Sequence, residues 1–421
     1  MQKLAPYLSL LSSNKSFRNL WLSQIISNFG DWFGLLAVYA LFTNYSDSAL
    51  LLGLVIVVKM LSLGLFSPVA GYLTDKFNRR RLMIGCDILR AVIVAGFLLI
   101  HSQQMLWLAY PLMAFQMMLS AIFEPAKSSS IPNITSADEL VKANVLSALS
   151  WSIIFTMGMG IGGLATAYLG TDLVFVLDVF SYLISGWFIY DTIIPQSTED
   201  TSDTFKFSEP YIRIRQGVSY LKQNRHVLRP ALAKGCVTCC LGGLVYMLIL
   251  ISEEVLMLGS IGVGLLYASR GLGTAVGPIL GKRIFDNEKN WVKAMGFWMI
   301  MAGLMYVIVG MVESLVLMVI FVFLAHMASG ANWVMSTVLL QRRAPDHIRG
   351  RVFSFEWLFF TLAQSVSVFL ASNIQEINLL SLPQTMVAFA ILLIAIGVIW
   401  MWTVTREEYS YQQELLWQRN P

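Results

Sequence analysis

Long stretches of the chain contain no Asp, Glu, Lys or Arg at all, among them those between Arg90 and Glu124, between Lys142 and Asp172, and between Glu376 and Arg406. Each exceeds the roughly 20 apolar residues that a helix needs to cross a bilayer. A soluble helix of that length would show a polar face at every turn, whereas these runs are apolar all round, so their solvent is lipid. Charged residues make up only 13% of the chain, about half of the roughly 25% usual in soluble proteins.

The pattern predicts an all-α integral membrane protein. Twelve transmembrane helices are expected near 17–44, 49–74, 82–100, 106–127, 141–169, 173–194, 226–251, 260–281, 292–311, 315–341, 351–374 and 380–404. Backbone groups in lipid must bond within their own segment, which makes each run helical. The polar stretch after Pro195 divides the chain. Residues 1–194 are expected to form one six-helix bundle, 195–225 a cytoplasmic linker, 226–404 a second bundle and 405–421 a cytoplasmic tail. Residues 1–16 carry no cleavable signal pattern.

Lys and Arg set the orientation. With sides alternating, one set of turns carries Asp47, His101, Asp172, Glu253, Glu254, Glu313 and Glu376 and no Lys or Arg. The cations gather on the other side, so both termini are expected in the cytoplasm. The net charge of +4 therefore concerns topology, and no nucleic-acid partner is expected.

The two halves echo one another. Pro68-Val-Ala-Gly71 recurs as Pro278-Ile-Leu-Gly281, and Ile131-Pro132-Asn133 as Ala344-Pro345-Asp346, both about 210 positions later. A shared offset of half the chain implies parallel repeats, the arrangement of transporters built from two pseudo-symmetric bundles.

Residues 71–81, GYLTDKFNRRR, resemble the signature loop of the major facilitator superfamily, with Gly71, Asp75, Arg79 and Arg80 at the family's spacing. The resemblance implies a gate: Asp75 holding a helix N-terminus of the other half, and the arginines pairing with nearby acids. Asp87 would brace this loop, and Glu124 would meet its arginines. The family usually has Gly where this chain has Asn78; Asn tolerates a left-handed turn, so the turn is expected to survive. The alternative is a cytoplasmic anchor without a gating role.

NFGDWF (28–33), EPAKSSSIPNITSADELVKAN (124–144) and QRRAPDHIRGRVF (341–353) resemble the siderophore-exporter and macrolide-efflux branch of that superfamily. This implies export of a small molecule in exchange for protons, from a bacterial inner membrane, by a monomer without cofactors. Gly158-Met-Gly-Ile-Gly162-Gly163 is similar to the family's antiporter motif, with Met159 in place of Pro, and reads equally as close helix packing. The fourth helix (LWLAYPLMAFQMMLSAIF, 106–123) lacks the arginine of many proton-coupled drug exporters.

Charges inside membrane spans mark function. Asp31 lies near mid-depth in the first helix and shares a face with Gln24 and Asn28. It is the leading proton-coupling candidate, the alternative being a structural acid paired to a cation. Glu356 and His326 are further candidates, Glu356 reading also as a gate salt bridge and His326 as a hydrogen-bonded core histidine. Arg90 pairs with Asp87 at i,i+3 or with Asp31. Lys59, Arg270 and Gln364 complete the expected cavity. Lys234 is expected to snorkel to the cytoplasmic surface. Asp178 is expected to cap a polar contact between helices.

Enzymatic readings have little support. Gly281-Lys282 has Val276 where a phosphate-binding loop needs Gly and Arg283 where it needs Ser or Thr. Cys236, Cys239 and Cys240 lie in an apolar helix without a nearby His, so packing thiols are expected there and no metal. Rivals of the same fold are a lysophospholipid transporter and an uncoupled facilitator.

Overall fold

The computed structural model describes residues 5–195 and 209–410, about 90% of it helical and with no strand among the described residues. Thirteen α-helices follow in order: α1 (Ala5–Ser13), α2 (Lys15–Tyr45), α3 (Ala49–Lys76), α4 (Arg79–Phe97), α5 (Ala109–Ile134), α6 (Ala137–Tyr190), α7 (Glu209–Gln223), α8 (Arg225–Leu250), α9 (Gly259–Ile284), α10 (Trp291–Val309), α11 (Leu315–Arg343), α12 (Asp346–Glu376) and α13 (Leu382–Trp402). Among the described residues, nine helical stretches are long and apolar enough to cross a membrane. Large apolar side chains point outward along them, with Trp187 64%, Val366 56% and Trp402 77% exposed. That surface suits acyl chains and not water.

Caps decide where several helices begin. Asn14 accepts the amide of Phe17 at 2.9 Å and opens α2. Ser381 and Gln384 form a capping box at α13, as Ser136 and Glu139 do at α6. The Ser136 amide, with help from Asn14, holds the Glu139 carboxyl below the usual glutamate range. A depressed folded value contributes stability above the ordinary glutamate pKa that is lost as pH falls through the folded one. Glu139→Gln keeps the capping box and should therefore melt only slightly below the wild type at neutral pH, by about 0.3 kcal/mol once solvent screening at this exposed site is allowed for, with the gap closing on acidification.

Three expectations need correction. Asn78 is not left-handed (φ −59°, ψ 113°); its side chain accepts the Arg81 amide at 3.0 Å and caps α4. Asparagine thus serves here as an N-cap, a role glycine lacks a side chain to fill. The loop expected over 128–140 is mostly helix, because α5 runs through Pro125 and Pro132 to Ile134. The third concerns Lys234 and follows with the site. Within the stretch 195–225 lies α7, whose Leu221 joins Val227, Ala231, Leu340 and Val352 in a buried cluster; residues 196–208 lie outside the described part. Between the fifth and sixth expected spans, α6 breaks at Gly170, whose φ of 78° is natural only to glycine.

The chain divides into two compact units. Met1–Asp47, Leu65–Pro210 and Gly259–Ala268 form one; Ser48–Gly64, Tyr211–Leu258 and Ser269–Pro421 form the other. In the first, α6 packs on α2 and α4, and α4 on α5. Phe97 stacks on Phe175 at 5.2 Å, and Trp32 meets Phe155 edge-on at 4.6 Å. In the second, α8 packs on α12, α11 and α13, and α10 on α11 and α13. Helices α9 and α11 meet at backbone contact: a Cβ on Gly273 would collide with the Phe323 carbonyl, and one on Gly277 with that of Met327.

Candidate functional site

The first unit encloses a polar cluster built from α2, α4, α5 and α6. Tyr182 on α6 is fully buried, and its phenol donates to the Asp31 carboxylate while accepting from Gln116 Nε2 at 3.0 Å. The face of the Tyr182 ring carries the Arg90 guanidinium at 4.5 Å, and the Phe123 ring meets the same guanidinium at 4.4 Å. Arg90 is held by an ion pair with Asp87, three residues earlier on α4, and Asp87 also accepts from Ser185 Oγ at 2.7 Å. Asp87 and Arg90 are 0% and 2% exposed. Ionic groups persist at that depth only when they are paired and hydrogen-bonded.

Asp178, one turn before Tyr182, adjoins the same cluster. Its carboxyl sits against the bare backbone of α2, where a Cβ on Gly30 or Gly34 would collide with it. Ser181 Oγ lies 3.2 Å from Asp178 Oδ1 but 2.8 Å from the Asp178 carbonyl. Three carboxyls and one guanidinium thus share the cluster, and groups set this close titrate as a set and not singly.

The second unit holds a second buried polar group. Lys234 on α8 pairs with Glu356 on α12 at 2.8 Å, the two being 5% and 2% exposed. Lys234 Nζ also lies 4.2 Å from the centre of the Trp333 ring. Trp333 meets Trp357 and Phe360 edge-on. The snorkelling expected of Lys234 is therefore wrong: an internal carboxylate and an indole face offer the ammonium a better site than the membrane surface. His326 shares a 2.9 Å hydrogen bond with Tyr306 in the core of this unit.

The remaining candidates fall elsewhere. Gln24 is buried in α2, with Asn28 half-buried one turn on. Lys59, Arg270 and Gln364 are half-buried; Lys59 and Arg270 are engaged by neighbours. Around the signature loop, Arg79 donates to the carbonyls of Ser129 (2.7 Å) and Thr74, and Arg80 to those of Ile189 and Tyr190. Glu124 pairs with Lys127 at 2.6 Å. Gly71 and the Asp75 side chain lie outside what the structure describes.

Sequence reasoning misses Tyr182, Gln116, Lys234 and Glu376 as site residues. Glu376, at the end of α12, accepts the Ser48 hydroxyl at 2.8 Å and the Leu50 amide at 3.0 Å, capping α3 from another helix. A signal exists for Lys234, a charge inside an apolar run. No local pattern marks Tyr182, whose role depends on which helix faces it.

Helices of this length, with paired charges at their centres, suit a carrier with a polar path through lipid. A family model described as the Major Facilitator Superfamily matches residues 20–368. The chain belongs to the Major Facilitator Superfamily. Among superfamily relatives, the putative bacilysin exporter BacE of Bacillus amyloliquefaciens is 27% identical over 394 residues, covering 89% of this chain and 91% of its own. Macrolide efflux protein A of Streptococcus pyogenes is 21% identical over 371 residues, covering 85% and 88%.

Solved structures share the superfamily fold. A bacterial homologue of the human lysosomal transporter Spinster, inward-facing and unoccupied, superposes with a TM-score of 0.73 at 15% identity, covering 95% of this chain and 98% of its own. A POT family transporter in complex with 5-aminolevulinic acid reaches 0.75 at 11% identity, covering 93% and 96%. The protein is a multi-pass membrane transporter of this superfamily.

Proposed function

We propose that the protein is a proton-coupled exporter that moves a bulky, amphipathic small molecule out of the cytoplasm by alternating access. The observation that carries this reading is the near full-length likeness to relatives named as exporters of bacilysin and of macrolides. In this reading twelve spans cross the inner membrane, in six-helix bundles at 1–194 and 226–404, with the linker 195–225, the tail 405–421 and both termini cytoplasmic. The asymmetry of Lys and Arg supports that orientation.

Asp31 is the proposed proton carrier. The Tyr182 phenol bonded to it, and the Arg90 charge beneath that ring, give the carboxyl partners that respond to its ionisation. A proton entering at Asp31 as cargo leaves would harvest about 2.3 kcal/mol per 100 mV of membrane potential. Gln24, Asn28, Lys59, Arg270 and Gln364 are proposed to line the cargo path. Gly71, Asp75, Arg79, Arg80, Asp87 and Glu124 are proposed to serve the cytoplasmic gate. Glu356 and His326 are secondary coupling candidates.

Transport into everted vesicles energised by a pH gradient tests the reading, with a siderophore, a macrolide and bacilysin as cargoes. Uptake of one cargo should follow the gradient, and Asp31→Asn should bring it down to the level of empty vesicles. Uptake indifferent to both gradient and mutation would sink proton coupling.

A further inference from the structure

The carboxyls of the first unit differ in what they are given to bind. Asp87 has the Arg90 guanidinium and the Ser185 hydroxyl. Asp31 has the Tyr182 phenol. Asp178, 1% exposed, has neither: its Oδ2 has no hydrogen-bond partner. The Ser181 hydroxyl near its Oδ1 carries a single hydrogen, and the Asp178 carbonyl lies closer to that hydroxyl, at 2.8 against 3.2 Å. An ionised carboxylate offers about four acceptor sites and needs donors for them. A neutral carboxyl needs far less, and burial without donors is tolerable only in that form.

The surroundings supply no remedy. Against Oδ2 lies Gly34 and against Oδ1 lies Gly30, so α2 presents bare backbone where a donor side chain would have to stand. The charged groups facing Asp178 are Asp31 on α2 and Arg90 on α4, with Tyr182 on its own helix. Arg90 is committed to Asp87, and Asp31 repels a second negative charge.

We propose that Asp178 is a proton-binding site in its own right, a second one beside Asp31, and that its proton exchanges with water during the transport cycle. Binding adds one H⁺ from solvent to the carboxylate and leaves a neutral acid, which removes the negative charge that its surroundings do not solvate. The glycine floor is what lets the site work: α2 can slide past a neutral Asp178, and withdrawal of α2 would admit the water that takes the proton. The inference deepens the proton-coupled reading and rests on it for the cycle, though not for the site itself.

Infrared difference spectroscopy of the purified full-length protein in lipid nanodiscs, titrated with pH in H₂O and D₂O, tests the site without cargo or gradient. A carboxylic-acid carbonyl band that disappears on alkalisation and shifts on deuteration should be present in the wild type and in Asp31→Asn. In the Asp31→Asn background, which removes the other proposed carrier, the band should vanish when Asp178→Asn is added or, as a smaller neutral control should the amide disturb folding, Asp178→Ala. A band that survives both Asp178 substitutions in that background, or one that neither titrates nor shifts, overturns the proposal. Because no transport is measured, failure of vesicle uptake with this band intact counts against export alone.

Discussion

Lys234→Met should destabilise the protein by about 3–5 kcal/mol, the usual cost of stranding one member of a buried ion pair. Glu356 at 2% exposure would have either to hold a charge with little to replace the ammonium or to take up a proton, and both cost stability. The Ser336 hydroxyl stands 3.4 Å from its carboxylate but 3.0 Å from the Pro230 carbonyl, and its one hydrogen favours the carbonyl. Methionine fills most of the space of the lysine stem and still packs on Trp333, so the loss reports the charge and not a cavity. The double substitution Lys234→Met with Glu356→Gln should recover most of it, since an apolar or neutral pair in such a site is often no worse than the ion pair. Chemical unfolding of the wild type, both single mutants and the double mutant in detergent, followed by tryptophan fluorescence, gives the cycle. A Lys234→Met protein within about 1 kcal/mol of wild type would mean that the pair is solvated in the membrane protein as it exists.

Gly277→Leu should prevent α9 from seating on α11. A Cβ at residue 277 would collide with the Met327 carbonyl and stand 2.9 Å from the Ala331 amide. Both obstacles are backbone, so no rotamer change relieves them, and Gly273 meets α11 in the same way one turn earlier. Forcing extra carbon into packed structure commonly costs about 1–3 kcal/mol and more where the backbone itself must move. The expected result is aggregation on size-exclusion chromatography or a melting temperature lowered beyond any other single substitution on α9. Leu272 supplies the control: it is 51% exposed on the same helix, and Leu272→Ala should leave assembly untouched.

The spans are legible because lipid makes one simple demand, which a gap between charges reveals directly. Gly170 is equally legible as a break, since the turn between two apolar runs falls on it. The ends of helices are harder. Nothing in EPAKSSSIPNI announces that α5 continues through two prolines, because packing outweighs the backbone bond that each of them removes. Asn78 reads as a tolerant backbone position, whereas its side chain is the working part.

Within the site, Asp87 and Arg90 are readable as an i,i+3 pair because one helix carries both. Asp31 stands out as a charge in an apolar run, but its partner Tyr182 lies 151 positions away and looks like any other aromatic residue. Lys234 misleads for the same reason: Glu356 comes from a distant helix, and only the meeting of α8 with α12 turns two isolated charges into a pair. Gly273, Gly277 and Gly281 stand at four-residue spacing in the sequence, a pattern that already marks a helix-packing stripe.

Beyond α13, Glu408 is 3% exposed and clamped by Arg343 at 2.7 Å and by Arg229 at 2.7 Å, while Arg229 also reaches Glu407 at 3.4 Å. Both arginines are translated well before the glutamate that neutralises them. During synthesis, α8 and α11 therefore enter the membrane before the carboxylate that joins their charged ends exists. A nascent chain halted just before residue 407 would hold α1 to α13 and still lack the fastening that ties α8 and α11 together.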